Sequence, residues 1–154
     1  MYIEPFLRGR RDPMSVFHHS DFFPSPLLVE RKQALGTSIS VVIPALNEAS
    51  TIGPIVEHIR RRLIEQAALV DEIVVIDGCS TDGTVARARD AGARVRVARD
   101  ILPELDVPDG KGCSMWKSLG VVRGDIVVFI DADIVDFDSR FVAGLAGPLL
   151  HDSS

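Results

Sequence analysis

From Ser38 onward, short apolar runs alternate with longer segments of helical period. The runs are "SISVVIP" (38–44), "DEIVVID" (71–77), "ARVRVA" (93–98) and "DIVVFID" (125–131), each of strand length and rich in Val and Ile. Strands that are apolar on both faces belong to parallel sheets covered by helices on either side. Pro44 is expected to stop the first strand. Between the runs, "STIGPIVEHIRRRLIEQAA" places Ile52, Ile55, Val56, Ile59 and Leu63 on one helical face, with Arg60 to Arg62 mostly off it. Ser50 is the expected N-cap, Pro54 falls in the first turn where it does least harm, and His58 is expected in solvent. "GCSTDGTVARARDAG" predicts a turn and a short helix closed by Gly92. "DGKGCSMWKSLGVVRG" predicts a helix from about Cys113, and "DSRFVAGLAGPLL" a helix interrupted near Pro148. Strand–helix alternation of this kind specifies an α/β fold with a mainly parallel sheet.

Residues 1–37 have a different texture and are read as an N-terminal extension to a domain spanning 38–154. Four of the seven Phe lie there (Phe6, Phe17, Phe22, Phe23), separated by Pro5, Pro13, Pro24 and Pro26. Those aromatics are expected to pack on the domain or on a partner. A short helix, "PLLVERKQALG", ends the extension at Gly36, and His18-His19 are read as incidental. The length of 154 residues suits one domain. With 46% apolar and 25% charged residues the composition is that of a globular protein, and no run approaches the ~20 apolar residues of a membrane span. The N-terminal arginines have no apolar stretch behind them, so a cytoplasmic location is expected. A net charge of −5 argues against nucleic-acid binding. The two cysteines, Cys79 and Cys113, lack C-x-x-C spacing and are read as small packing residues.

The distinctive polar residues fall where the strands end. The first strand runs into Pro44-Ala45-Leu46-Asn47-Glu48, the second into Asp77-Gly78-Cys79-Ser80-Thr81-Asp82, and the last into Asp131-Ala132-Asp133. Lys111 sits between Gly110 and Gly112 before a helix. Ligands of parallel α/β sheets bind beyond the carboxyl ends of the strands. Two carboxylates at i and i+2 on an extended strand point the same way and repel unless a cation lies between them, which suits Mg²⁺ or Mn²⁺. Each motif has a plainer reading: a helix start at Asn47-Glu48, a capped turn at Ser80 to Asp82, a solvated loop lysine at Lys111. Their convergence on one rim favours a site.

"VVIPALNEASTI", "VVIDGCSTDGT", "GKG" and "GDIVVFIDADI" together resemble the nucleotide-sugar-binding half of GT-A glycosyltransferases of the family-2 type. The resemblance covers about residues 35 to 150. Within that family, the "GKG…W" block and "FVAGLAGPLL" resemble the glucosyl-3-phosphoglycerate synthase subgroup. It implies a Rossmann-like GT-A fold and a retaining hexosyltransferase using UDP-glucose. The acceptor would be a small phosphorylated molecule such as 3-phosphoglycerate, and the acceptor half would lie outside this chain. It further implies that Pro44, Ala45, Leu46, Asn47 and Glu48 border uracil and ribose, with Asp77 and Gly78 near the base and Lys111 near the nucleotide. Asp131 would sit near the ribose and the metal, with Ala132 beside it, and Asp133 would be the direct ligand of Mg²⁺ or Mn²⁺. Two departures stand out: Gly78-Cys79-Ser80 replaces a usual Ser-Gly-Ser, and Cys113 stands where an acidic residue is common.

Other readings are weaker. Asp131-Ala132-Asp133-Ile134-Val135 also matches the nucleophile motif of haloacid-dehalogenase-type phosphatases, but that motif opens its domain and only 19 residues follow Val135. A dinucleotide fold would need G-x-G-x-x-G after the first strand. A Ca²⁺ loop on Asp131, Asp133, Asp136 and Asp138 lacks the turn Gly and distal Glu. The non-enzyme alternative is a chain that binds a nucleotide sugar without turning it over. An uncovered sheet edge would leave apolar surface open to self-association, including a homodimer.

Overall fold

Among the described residues four strands run parallel in the order β3-β2-β1-β4: β1 (Ile39–Ala45), β2 (Glu72–Asp77), β3 (Arg94–Val97) and β4 (Ile126–Phe129). The computed structural model describes residues 18, 22, 26–105 and 110–151. Among those residues five α-helices surround the sheet: α1 (Pro26–Leu35), α2 (Ile52–Ile59), α3 (Thr84–Asp90), α4 (Lys111–Ser118) and α5 (Arg140–His151). The parallel α/β architecture expected from the apolar runs is the one observed.

Strand parity sorts the core. Ile39, Val41, Ile43 and Ala45 of β1 share one face with Ile73 and Val75 of β2 and Val128 of β4. That face buries the apolar stripe of α2, with Val142, Ala143, Ala146 and Leu150 of α5, Leu28 of α1 and Phe22. The opposite face, carrying Val42, Val74, Ile76, Val127 and Phe129, is covered more thinly. There α4 turns Ser114, Lys117 and Ser118 inward, and the Lys117 ammonium donates to the Ala98 carbonyl at 3.0 Å.

Several local expectations need correction. The first strand continues through Pro44 to Ala45, with Pro44 opposite Ile76 of β2. The Val42 carbonyl accepts from the Ile130 N–H and the Ala45 carbonyl from the Gly78 N–H, so alternate residues of β1 face β4 and β2. Pro44 falls on the β4 side, where its missing N–H ends that ladder and not the strand. Thr51, not Ser50, caps α2, and its hydroxyl reaches the Ala132 carbonyl instead of the helix. Past Ile59 the helix widens into a π-helical stretch, Arg60–Gln66. His58 is half-buried, edge-on to Phe137 at 5.6 Å, with Nε2 buried and unpartnered among the described residues. Helix α4, expected from about Cys113, starts two residues earlier at Lys111. The last helix is continuous across Pro148. Pro148 lies in its final turn, and burial of Ala146 and Leu150 on either side offsets the lost hydrogen bond.

The amino ends of the strands are fastened by a partly buried polar cluster. Ser40, inside β1, donates to Glu72 at 2.6 Å, and Glu72 also accepts from Arg94 at 2.8 Å and the Arg123 N–H at 2.7 Å. The Gly124 N–H closes on the Ser40 hydroxyl at 2.8 Å. A β-carbon on Gly124 would lie 2.6 Å from the Ser40 nitrogen, so only glycine fits. Burial pushes the Glu72 carboxyl up, but Ser40, Arg123 and Arg94 together outweigh it and hold the group below its ordinary value. At the C-terminal edge, Phe129, Ile130, Ile134, Phe141 and Leu145 line a hollow beside β4, which has no neighbour on its outer side among the described residues. No helix among the described residues is long and apolar enough to cross a membrane.

Phe22 packs on the domain, in the pattern expected of the extension's aromatics. Its ring occupies the space where a Gly147 side chain would project, while Phe6, Phe17, Phe23 and His19 lie outside the described residues. Phe22→Ala is therefore expected to cost about 3 kcal/mol. Gly147→Ala should also destabilise although alanine is the better helix former. Urea unfolding of both variants checks this, and a Phe22→Ala midpoint equal to wild type would remove Phe22 from the core. A group with a depressed folded pKa stabilises above its unfolded pKa and loses that stabilisation as pH falls through the folded value. Glu72→Gln should thus be less stable than wild type by about 1–3 kcal/mol at pH 7, with the gap narrowing below about pH 4. Unfolding curves at the two pH values measure that gap.

Candidate functional site

Because the strands are parallel, the loops after β1, β2 and β4 emerge at one edge of the sheet. Two of them are laced together. Ser80 accepts the Asn47 N–H at 2.9 Å, and the Asn47 side-chain oxygen accepts the Thr81 N–H at 2.9 Å. Thr84 accepts the Glu48 N–H at 2.8 Å, and Asp82 accepts the Ala49 N–H at 3.2 Å. The Thr84 hydroxyl first, then backbone N–H groups, hold Asp82 below the ordinary carboxylate range despite slight desolvation. Asn47 takes a left-handed backbone, φ 58°, which Asn tolerates better than most residues. Ser80, Thr81 and Asp82 are thus more than a capped turn: they fix the neighbouring loop.

Asp77 acts beneath the loop. It is 2% exposed, and its carboxylate accepts the N–H groups of Cys79 at 3.0 Å and Ser80 at 3.1 Å. That turn puts Cys79 at φ 73°, a conformation costing an L-residue about 1–2 kcal/mol. Asp77, expected to face a base, lies beneath the cavity wall and shapes the segment that does line the cavity.

The cavity holds about 460 Å³ and is lined by residues from all these loops. Pro44, Ala45, Leu46 and Glu48 come from the end of β1, Gly78 and Cys79 from beyond β2, and Ala132 and Asp133 from beyond β4. Gly110, Lys111, Cys113 and Ser114 approach from α4, and Ala98 closes the far side. Leu46 is exposed although apolar, and Glu48 is half-buried against the Thr51 hydroxyl. Of the ten expected binding residues, Asn47, Asp77 and Asp131 do not line this cavity.

The Asp131/Asp133 pair departs from the extended geometry expected of it. Regular strand ends at Phe129, and the backbone turns at Ala132-Asp133. Asp133 therefore faces the cavity, while Asp131 borders the hollow beside β4. Asp131 is ion-paired with Lys111, both side chains being more than half exposed. Asp133 makes no ion pair among the described residues. Those residues contain no cluster of three His, Cys, Asp or Glu placed to hold a metal. One or two carboxylates suffice for Mg²⁺ when waters and substrate phosphates complete the shell, so the donor set fits such an ion.

Sequence reasoning missed Thr51, Ala98 and Ser114. Ser114 was recoverable, since it lies three residues past Lys111 and so on the same helical face. Thr51 carried no local signal, because its partner, the Ala132 carbonyl at 2.6 Å, lies 81 residues away. Cys79 and Cys113, read as packing residues, are respectively exposed and half-buried, and both line the cavity.

The sequence matches the model for "Glycosyl transferase family 2" over residues 40–152. Among curated proteins it is 44% identical over 135 residues to glucosyl-3-phosphoglycerate synthase of Petrotoga mobilis, covering 88% of this chain and 42% of that one. Against the Mycobacterium tuberculosis protein of that name, identity is 49% over 115 residues, covering 75% and 35%. Among solved structures, mannosyl-3-phosphoglycerate synthase from Rubrobacter xylanophilus superposes with a TM-score of 0.84 at 38% identity, covering 89% of this chain and 44% of that one. The M. tuberculosis glucosyl-3-phosphoglycerate synthase in complex with Mn²⁺, UDP-glucose and phosphoglyceric acid gives 0.74 at 41% identity, covering 91% and 46%. The chain spans less than half the length of each of these relatives. Their fold is the parallel α/β arrangement seen here, and the residues that surround the cavity fall within the matched segment. On sequence and fold together, this chain belongs to glycosyl transferase family 2.

Proposed function

We propose that the cavity is the donor site of a glycosyltransferase that takes UDP-glucose and transfers glucose to 3-phosphoglycerate. The observation that carries this reading is one cavity, at the carboxyl edge of a parallel sheet, lined by Glu48, Lys111 and Asp133 together. Its volume lies within the ~300–1,000 Å³ usual for small-molecule sites. The M. tuberculosis relative, crystallised with Mn²⁺, UDP-glucose and phosphoglyceric acid, supports the choice of donor, ion and acceptor. Another structure of that relative holds Mg²⁺ and UDP.

In this reading Pro44, Ala45 and Leu46 border the base, and Glu48 accepts a ribose hydroxyl. Gly78 lets the nucleotide approach the backbone. Lys111 lies beside the diphosphate, and Asp133, assisted by Asp131, holds Mg²⁺ or Mn²⁺. A divalent ion bound there neutralises charge on the departing diphosphate. Asp77, Asn47 and Thr84 serve by fixing the loops that carry these groups. Phosphorylated substrates do not leave the compartment where they form, so a cytoplasmic location goes with this reading.

Calorimetry with UDP tests the donor site. Binding should be tight in Mg²⁺ and weaken about tenfold or more in EDTA, and Asp133→Asn should show the weak value in both. Asp136→Asn, exposed and outside the cavity, should bind as wild type does. Equal wild-type affinity with and without chelator would sink the metal-bridged site.

Glu48→Gln and Lys111→Ala should each weaken UDP binding while shifting stability by no more than ~0.5 kcal/mol, as rim substitutions do. A large drop in melting temperature would return both residues to a structural role. UDP release from UDP-glucose that depends on 3-phosphoglycerate is the measurement for transfer itself. Binding without such release would favour the non-catalytic alternative for this chain.

A further inference from the structure

Cys79 and Cys113 are the only cysteines in the sequence, and both line the cavity. They come from separate elements, the loop after β2 and the first turn of α4, so they occupy different stretches of its wall. No hydrogen bond among the described residues engages either sulfur: the contact at Cys79 runs through its backbone N–H to Asp77. Cys79 is exposed and Cys113 half-buried, so both are within reach of a solute entering the cavity. Buried structural cysteines are inert because reagents cannot reach them, and these two are not in that position.

We propose that Cys79 and Cys113 form a thiol-modification site that gates the cavity. A low-molecular-weight disulfide, RS–SR, would convert them to mixed disulfides that exclude the nucleotide, and bound nucleotide would shield them. In each reaction the cysteine thiolate attacks one sulfur of RS–SR. The protein–S–S–R bond forms as the reagent's S–S bond breaks, and the departing RS⁻ takes up the proton released by the thiol. The cysteine sulfur is oxidised, the leaving sulfur is reduced, and no further oxidant is needed. A dithiol reverses the exchange. The blocking is both steric and electrostatic. Each adduct fills part of a cavity of about 460 Å³. An anionic R group would also repel a diphosphate where Lys111 is the one cationic lining side chain among the described residues.

This inference rests on the donor-site reading, and the experiment separates the two. The chain is treated with the aromatic disulfide dithiobis-nitrobenzoate, and thionitrobenzoate release, intact mass, UDP affinity in Mg²⁺ and the melting transition are followed. Two thiols per chain should react, and saturating UDP with Mg²⁺ should slow both by about tenfold or more. The doubly modified chain should bind UDP about tenfold more weakly or worse, keep its melting transition, and recover with dithiothreitol. Cys79→Ser and Cys113→Ser, each compared with its own unmodified form, should show a partial loss on modification of the remaining thiol. If the modified chain binds UDP normally, or UDP gives no protection, the gate is overturned while the donor site stands. Loss of both thiols with no added mass would mean an internal disulfide, and loss of the melting transition would mean unfolding. Either result overturns the gate. If the untreated chain does not bind UDP, both readings fail.

Discussion

The parallel orientation of the four strands is the constraint on which everything else rests. Parallel strands cannot be joined by tight turns, so each needs a helical crossover, and all carboxyl ends arrive at one edge. The loops after β1, β2 and β4 are therefore neighbours although they lie far apart in sequence. Asn47, Ser80 and Asp133 owe their proximity to this geometry and to nothing in their own surroundings. The amino edge must meanwhile be sealed, and the Ser40–Glu72–Arg94 cluster with Gly124 does so through hydrogen bonds whose charged members, Glu72 and Arg94, begin β2 and β3. Polar residues are thus structural at the amino edge, whereas at the carboxyl edge they divide between loop braces such as Asp77 and Ser80 and groups that face the cavity, such as Glu48 and Asp133.

Much of this was legible in the chain. Runs of Val and Ile gave the strands, and a period of 3.6 gave the buried face of α2, because burial on both sides of a sheet or one side of a helix leaves those signatures. What escaped depends on register and on distant partners. Pro44 looks like a strand terminator until one sees that its nitrogen faces the neighbour that ends first. Ser50 looks like a better cap than Thr51, but the cap residue's hydroxyl is engaged by Ala132. His58, off the apolar stripe, is nonetheless covered by Phe137 from a loop 79 residues on. The site motifs were visible as residue types, whereas their division into cavity wall, loop brace and ion pair was not. Asp77 and Asp133 are the same residue at the ends of two strands. One is buried under two N–H groups and the other faces open space.

The cavity also sits on the thinner side of the molecule. Its α4 wall is held by Ser114, Lys117 and Ser118, not by an apolar stripe. A buried ammonium satisfied by the Ala98 carbonyl ties α4 to the end of β3, and Ala98 itself lines the cavity. A wall fixed by directional bonds keeps its shape with less apolar burial. The same bond would be expensive to break, since it would leave a buried charge unpaired. That hydrogen bond therefore helps to set the position of the wall, alongside the packing of α4 on β1 and β2.

On the donor-site reading, a chain of net charge −5 must concentrate positive charge locally to hold a diphosphate. Lys111 is the side chain placed to do this, yet it is paired with Asp131. That pair is more than half exposed on both sides, and exposed pairs contribute about 0–1 kcal/mol. Such a contact opposes a competing anion only weakly. On the donor-site reading, a diphosphate with its divalent ion would allow an exchange of partners that strands no charge: Lys111 would pair with phosphate, and Asp131, with Asp133, would hold the cation. Both carboxylates would then have a positive neighbour. The exchange would leave the loops as they are, because Thr51, Asn47, Ser80 and Thr84 hold them through bonds in which neither Lys111 nor Asp131 takes part.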